Sequence, residues 1–156
     1  MIAFDPYAMP ETAARLGVTL VPLMEIFRQA DVVSLHTTWL PETEGMICRE
    51  HFAAMKPGAT FINTARGAIV REDEMANVLQ ARPDLYALLD VTCPEPPLPG
   101  SPLLALQNVI ITPHIAGADT NECKRNGQYV IDELRRYLRG EPLRFAVTRE
   151  KSALMA

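Results

Sequence analysis

The sequence predicts an α/β fold, a Rossmann-type parallel sheet with helices on both faces, and three observations carry that prediction. Short apolar or β-branched runs alternate with longer segments of helical period along most of the chain. The runs end in Asp, Asn, His or Pro, as strands do where they leave a buried sheet. Finally, 156 residues that are 48% hydrophobic and 22% charged suffice for one sizeable core and leave no room for a second full domain.

Taken in order, residues 2–4 read as a strand that stops at Asp5-Pro6. Residues 10–16 form a helix closed by Gly17, since glycine reaches the left-handed cap without a Cβ clash. A second short strand covers 18–21. Residues 22–29 carry Leu23, Ile26 and Phe27 at helical spacing, and Asp31 opens a buried strand over 32–36. The scheme repeats with a helix over 49–55, a stop at Lys56-Pro57-Gly58, and a strand over 59–63 running into Thr64-Ala65-Arg66-Gly67. Residues Glu72–Ala81 place Met75, Val78 and Leu79 on one helical face, and residues 85–91 return as a strand through Asp90. Five of the nine residues in 94–102 are proline, which lacks the donor that a ladder or helix needs, so this stretch is a loop. Residues 108–112 make the last strand, ahead of Pro113-His114. Residues 120–139 make a long amphipathic helix whose stripe is Val130, Ile131, Leu134 and Leu138. The expected organisation is a domain over 1–140 and a C-terminal tail over 141–156, with no internal repeat.

A net charge of −4 without clustered Lys or Arg argues against nucleic acid as a partner. Apolar runs such as 32–35 and 109–112 fall far short of the roughly 20 residues that span a bilayer, so no membrane partner is expected. The first residues show no basic region, apolar run and small-residue cleavage site of a signal peptide. Cys48, Cys93 and Cys123 are odd in number and form no CxxC, which suits reduced thiols in a cytoplasm and suggests no metal site.

In open α/β sheets, ligands bind beyond the carboxyl ends of the strands. Asp5, His36, Arg66, Asp90 and His114 each stand at or just past such an end, and Glu95 lies in the loop after Asp90. A carboxylate at Asp5 can accept from both ribose hydroxyls of an adenosine and repel a 2′-phosphate, or it can simply cap the following turn. Arg66 can grip a planar carboxylate, such as that of a 2-oxo acid, with two parallel hydrogen bonds. A surface arginine is the plainer alternative, but the small neighbours Thr64, Ala65 and Gly67 indicate a close approach to the backbone. His114 suits proton transfer to the alkoxide that ketone reduction leaves, and a carboxylate such as Glu95 would orient its ring. A structural histidine and a solvated loop carboxylate remain the alternatives. Asp90 can accept from a nicotinamide carboxamide or cap a turn. His36 and His51 read as structural, with His36 near the cofactor, and Cys93 has no role.

The runs 30–36, 55–67, 89–91 with Glu95-Pro96, and 108–117, in this order and spacing, resemble the D-isomer-specific 2-hydroxyacid dehydrogenase family. The resemblance implies a catalytic set of Arg66, Glu95 and His114, with Asp5 on the adenosine ribose and Asp90 on the carboxamide of NAD. It also places His36, Thr64, Ala65, Ala116 and Gly117 against the cofactor. The implied reaction is reversible NAD-linked interconversion of a small 2-oxo acid and a D-2-hydroxy acid, in a homodimer. The family also has a branch of NAD-binding transcriptional corepressors, so a non-catalytic regulatory or interaction module is the rival reading, and an inactive gene fragment a second. The chain departs from the family pattern in two places. Thr37-Thr38-Trp39-Leu40 stands where a proline is common, and no G-x-G-x-x-G occurs. The strand, glycine-rich loop and helix that the resemblance puts ahead of Ile2 would bind the pyrophosphate at a helix N-terminus and supply the central strand. Without that strand, either the two halves pair directly or another chain fills the gap.

Overall fold

A computed structural model of the chain describes residues 1–117 and 119–152. Strand β1 (Ile2–Ala3) leads to α1 (Pro10–Arg15), β2 (Thr19–Leu20) and α2 (Leu23–Gln29). Proline stands at the start of α1, where its missing N–H would have no helical partner, and Gly17 turns the chain at φ +67°. Then follow β3 (Val32–Leu35), α3 (Arg49–Ala53), β4 (Thr60–Asn63), α4 (Glu72–Ala81), β5 (Tyr86–Leu89), β6 (Val109–Ile111), α5 (Thr120–Leu138) and α6 (Arg149–Ser152). Every expected strand and helix is present, with the ends shortened by a residue or two. The tail contains the short helix α6, and residues 153–156 lie outside the described residues.

The strands are parallel throughout, as the α/β class requires, and they form two sheets, β1-β2 and β3-β4-β5-β6. Among the described residues no ladder joins β1 to β3, so the two halves do not pair directly.

Burial across the larger sheet is uneven. Val33, Leu35, Phe61, Ala87 and Leu89 point into the core, whereas Val32, Tyr86, Leu88 and Ile110 are exposed on the other face. The closed face packs against α3 and α4, with Phe52, Met75 and Leu79 fully buried. Phe27 of α2 joins Phe52 and Phe61 there, with ring centroids 6.0 and 6.3 Å away, and Phe52 meets Phe61 edge-on at 5.0 Å. Asn108 secures the turn into β6 by donating to the carbonyls of Leu79 (3.0 Å) and Leu85 (2.8 Å) from a buried position. Because β4, β5 and β6 are parallel neighbours, the segments that follow them emerge side by side along one edge.

Candidate active site

That edge is assembled from backbone and buried polar side chains. At the end of β4, buried Asn63 donates from Nδ2 to the Arg66 carbonyl (3.0 Å) and accepts from the Ala65 N–H (3.0 Å), folding residues 64–66 into a tight turn. Arg66 leaves this turn exposed, with Nη1 on the Ala65 carbonyl at 2.6 Å. Thr64 is exposed beside it and Ala65 partly so. The chain then passes so close to the next loop that a Cβ on Gly67 would lie 2.1 Å from the Thr92 carbonyl carbon and 2.6 Å from the Cys93 nitrogen. The close approach expected from the small residues is therefore real, and its partner is the chain's own backbone.

After β5, Asp90 is 5% exposed and faces the loop that follows β6. Its Oδ1 accepts from the Thr112 hydroxyl and from the Ile115 N–H (2.9 Å), and its Oδ2 from the Ala116 N–H (2.8 Å). Burial opposes the charge, but these bonds and the nearby His114 hold the carboxyl below its ordinary range. The Asp90 carbonyl also accepts from the His114 N–H at 3.0 Å. His114 itself is held at φ +54°, a left-handed conformation uncommon for a residue other than glycine. A strained residue persists where its surroundings over-determine it, and here the Asp90 clamp on both sides does so.

The result is an exposed acid–base pair: His114 Nδ1 meets Glu95 Oε1 at 2.6 Å, with the two side chains 45% and 41% exposed. A carboxylate only accepts, so Nδ1 carries the proton and Nε2 is the nitrogen left for exchange. The peptide bonds Cys93–Pro94 and Glu95–Pro96, on either side of the segment that presents Glu95, are both cis.

The remaining candidates are spread along the same chain ends. Asp5 accepts from Tyr7 N–H (2.8 Å) and Ala8 N–H (3.1 Å), so it caps the following turn, and both bonds fall on Oδ1. His36 Nε2 lies 2.8 Å from the Ser34 hydroxyl. His51 serves α3, where its Nδ1 accepts from the Cys48 N–H at 3.2 Å. Ala116 and Gly117 are exposed next to the clamp, with Ala116 N–H committed to Asp90. Among the described residues no three His, Cys, Asp or Glu side chains come together as a metal set.

The chain that carries this sheet edge has known relatives. The family model described as D-isomer specific 2-hydroxyacid dehydrogenase, NAD binding domain, matches residues 1–116. The chain belongs to this family. It is 38% identical over 148 residues to a D-3-phosphoglycerate dehydrogenase of Archaeoglobus fulgidus, covering 94% of this chain and 28% of that protein. It is 35% identical over 143 residues to a hydroxypyruvate reductase of Blautia hydrogenotrophica, covering 92% and 44%. Among solved structures, the apo form of Rhodotorula graminis D-mandelate dehydrogenase superposes with a TM-score of 0.83 at 31% identity, over 95% of this chain and 44% of that one. D-lactate dehydrogenase with NAD+ from Lactobacillus jensenii gives 0.80 at 28% identity, over 95% and 48%. The chain thus spans less than half the length of each of these relatives. The part they share with this chain includes the region that the family model describes as the NAD-binding domain.

Within this dehydrogenase domain, sequence reasoning passed over the residues that build the site from beneath. Asn63 stood at a recognisable strand end, but its clamp on Arg66 needs the folded turn. Glu72 gave no sign of its contact with Cys93, 21 positions away.

Proposed function

We propose that this domain serves reversible, NAD-linked interconversion of a 2-oxo acid and a D-2-hydroxy acid, with His114 as the proton-transfer group. The observation that carries the reading is the 2.6 Å contact between His114 Nδ1 and Glu95, on a loop that Asp90 holds in a strained conformation. Glu95 fixes the ring so that Nε2 can deliver a proton to the C2 oxygen during reduction and take it back during oxidation. Arg66, after the adjacent strand, binds the substrate carboxylate and polarises the C2 carbonyl.

The donor set suits a dinucleotide at both ends. Asp5 keeps Oδ2 outside its turn for the adenosine ribose. Asp90, with three of its roughly four acceptor positions taken, keeps one for the nicotinamide carboxamide. His36, Thr64, Ala65, Ala116 and Gly117 complete the wall along the strand ends. A glycine-rich cradle for the pyrophosphate is not among the described residues. When bound, NAD supplies the two-electron chemistry.

The exposed stripe on α5 supports a homodimer, and the odd, widely spaced cysteines support a reducing, cytoplasmic setting. No helix among the described residues is long and apolar enough to cross a membrane.

The test is NADH oxidation with glyoxylate, hydroxypyruvate and pyruvate, after grafting this chain in place of its counterpart in the Archaeoglobus fulgidus relative. Turnover is expected, with His114→Ala lowering kcat about 10²- to 10⁴-fold and Arg66→Ala raising KM for the 2-oxo acid. A folded, NADH-binding graft without turnover, or one indifferent to His114→Ala, would sink the reading.

A further inference from the structure

We propose that Glu72 is a positioning residue: through the Cys93 amide it fixes the segment that presents Glu95 to His114. Glu72 begins α4, and its Oε1 accepts from the Cys93 N–H at 2.8 Å. Two further contacts confine the same segment. The Thr92–Cys93 peptide is jammed against Gly67, where no Cβ fits, and the Thr92 hydroxyl donates to the Pro94 carbonyl at 2.8 Å. Glu95 is the next residue, so any slack at Cys93 passes directly to the carboxylate on His114. Of the three restraints, only Glu72 is ionisable.

Glu72 faces a cavity of about 490 Å³ beneath the proline-rich loop, lined also by Glu44, Arg71, Asp73 and Cys93. These are the titratable or charged groups lining that cavity; the turn at Pro102–Ala105, which packs on α4, contributes none, and α3 (Arg49–Ala53), which also packs on α4, directs its Arg49 N–H to Glu74. Arg71 is engaged elsewhere, with Nε on the Gly45 carbonyl (3.1 Å) and Nη1 on Glu74 (3.4 Å). No cation therefore pairs with Glu72 among the described residues. Burial pushes its carboxyl up to about 7, against the Cys93 bond and with help from Asp73. An ionised acceptor makes the stronger hydrogen bond, so the restraint on Cys93 tightens as pH rises through about 7. The loop carrying Glu95 thus has a pH-dependent anchor on α4.

The inference rests on the acid–base reading of Glu95 and His114, but it can be measured without turnover. In amide proton–nitrogen spectra of this chain from about pH 5.5 to about 9, the Cys93 signal shifts with a midpoint near 7. Glu72→Gln, which keeps an accepting oxygen, abolishes that titration and leaves the His114 Nδ1 proton signal in place. Glu72→Ala speeds Cys93 amide exchange about tenfold and broadens the His114 signal. A Cys93 signal flat through pH 7, or a His114 signal indifferent to Glu72→Ala, overturns the proposal even if the grafted enzyme turns over. Should Glu72→Ala fail to fold, the comparison of wild type with Glu72→Gln decides. Loss of turnover with these signals intact would instead count against the catalytic reading.

Discussion

The stretch from Ile47 to Leu89 and the helix α5 are both rich in apolar residues, yet they use them in opposite ways. In the first, Ile47, Phe52, Phe61, Ile69, Met75 and Leu85 are completely buried. In α5, 19 residues long, none is buried, and Tyr129, Val130, Ile131, Leu134, Tyr137 and Leu138 all stand exposed. Packing around the sheet decides the first region. The second is held by local devices: the Asp119 side chain accepting from Asn121 N–H at 3.1 Å, and i,i+3 ion pairs such as Glu122–Arg125 and Asp132–Arg135. The site is built on the packed region, which is why its geometry can be tight while the apolar stripe of α5 remains open.

The largest expected effect comes from breaking the packed region. Phe61→Ala removes the ring that joins α2, α3 and β4, and should cost about 3–5 kcal/mol in denaturant unfolding. A cost near zero would mean that the core is not the organising element. Next comes the polar floor of the site. Asn63→Ala leaves the Ala65 N–H and the Arg66 carbonyl without partners and should cost about 1–3 kcal/mol by the same measurement. It should also raise KM for the 2-oxo acid in the grafted enzyme more than it lowers kcat.

Two carboxylates sharpen the contrast through pH. Glu72 has a folded value of about 7 against an ordinary 4.5, so the native state binds the extra proton between them and stability falls as pH rises through that window. Asp84, held by Arg82 Nε at 2.8 Å and Nη2 at 2.7 Å, lies at about 2 against an ordinary 3.8. Its contribution is present above 3.8 and is lost as pH falls through about 2. Unfolding midpoints against pH for Glu72→Gln and Asp84→Asn should therefore differ from wild type at opposite ends of the scale. The smallest effect is reserved for the open region: in dilute solution, below the concentration at which two copies associate, Leu134→Ala should change stability by no more than about 0.5 kcal/mol. A larger loss, dependent on protein concentration, would show that α5 is covered by a second copy.

The elements themselves were legible because they announce themselves locally. The range Glu72–Ala81 follows from an acidic first turn and apolar residues at helical spacing, and β4 ends where Asn63 meets a run of small residues. The strand-end polar residues were legible too, since a parallel sheet carries them to one edge. What escaped were relations between distant backbone segments. The positive φ of His114, the collision space at Gly67, and the ties from Asn63 and Glu72 are visible only once β4, β5 and β6 lie in register. Asp90 shows the intermediate case: its position suggested a ligand contact, and the fold adds a clamp on the loop of His114 that its sequence neighbours do not reveal. The separation into two sheets is not written in the pattern of any one strand, but the resemblance implied a missing central strand, and of its two outcomes direct pairing of the halves is the one not seen among the described residues.

The central claim is that the packed sheet edge assembles the imidazole–carboxylate pair in this chain, before any substrate or cofactor is added. Proton–nitrogen correlation of the His114 ring in the isolated chain measures it directly. A proton fixed on Nδ1, protected from exchange and lost on Glu95→Ala while the fold persists, is the expected result. A ring that exchanges freely, or that is unchanged by Glu95→Ala, would contradict the account.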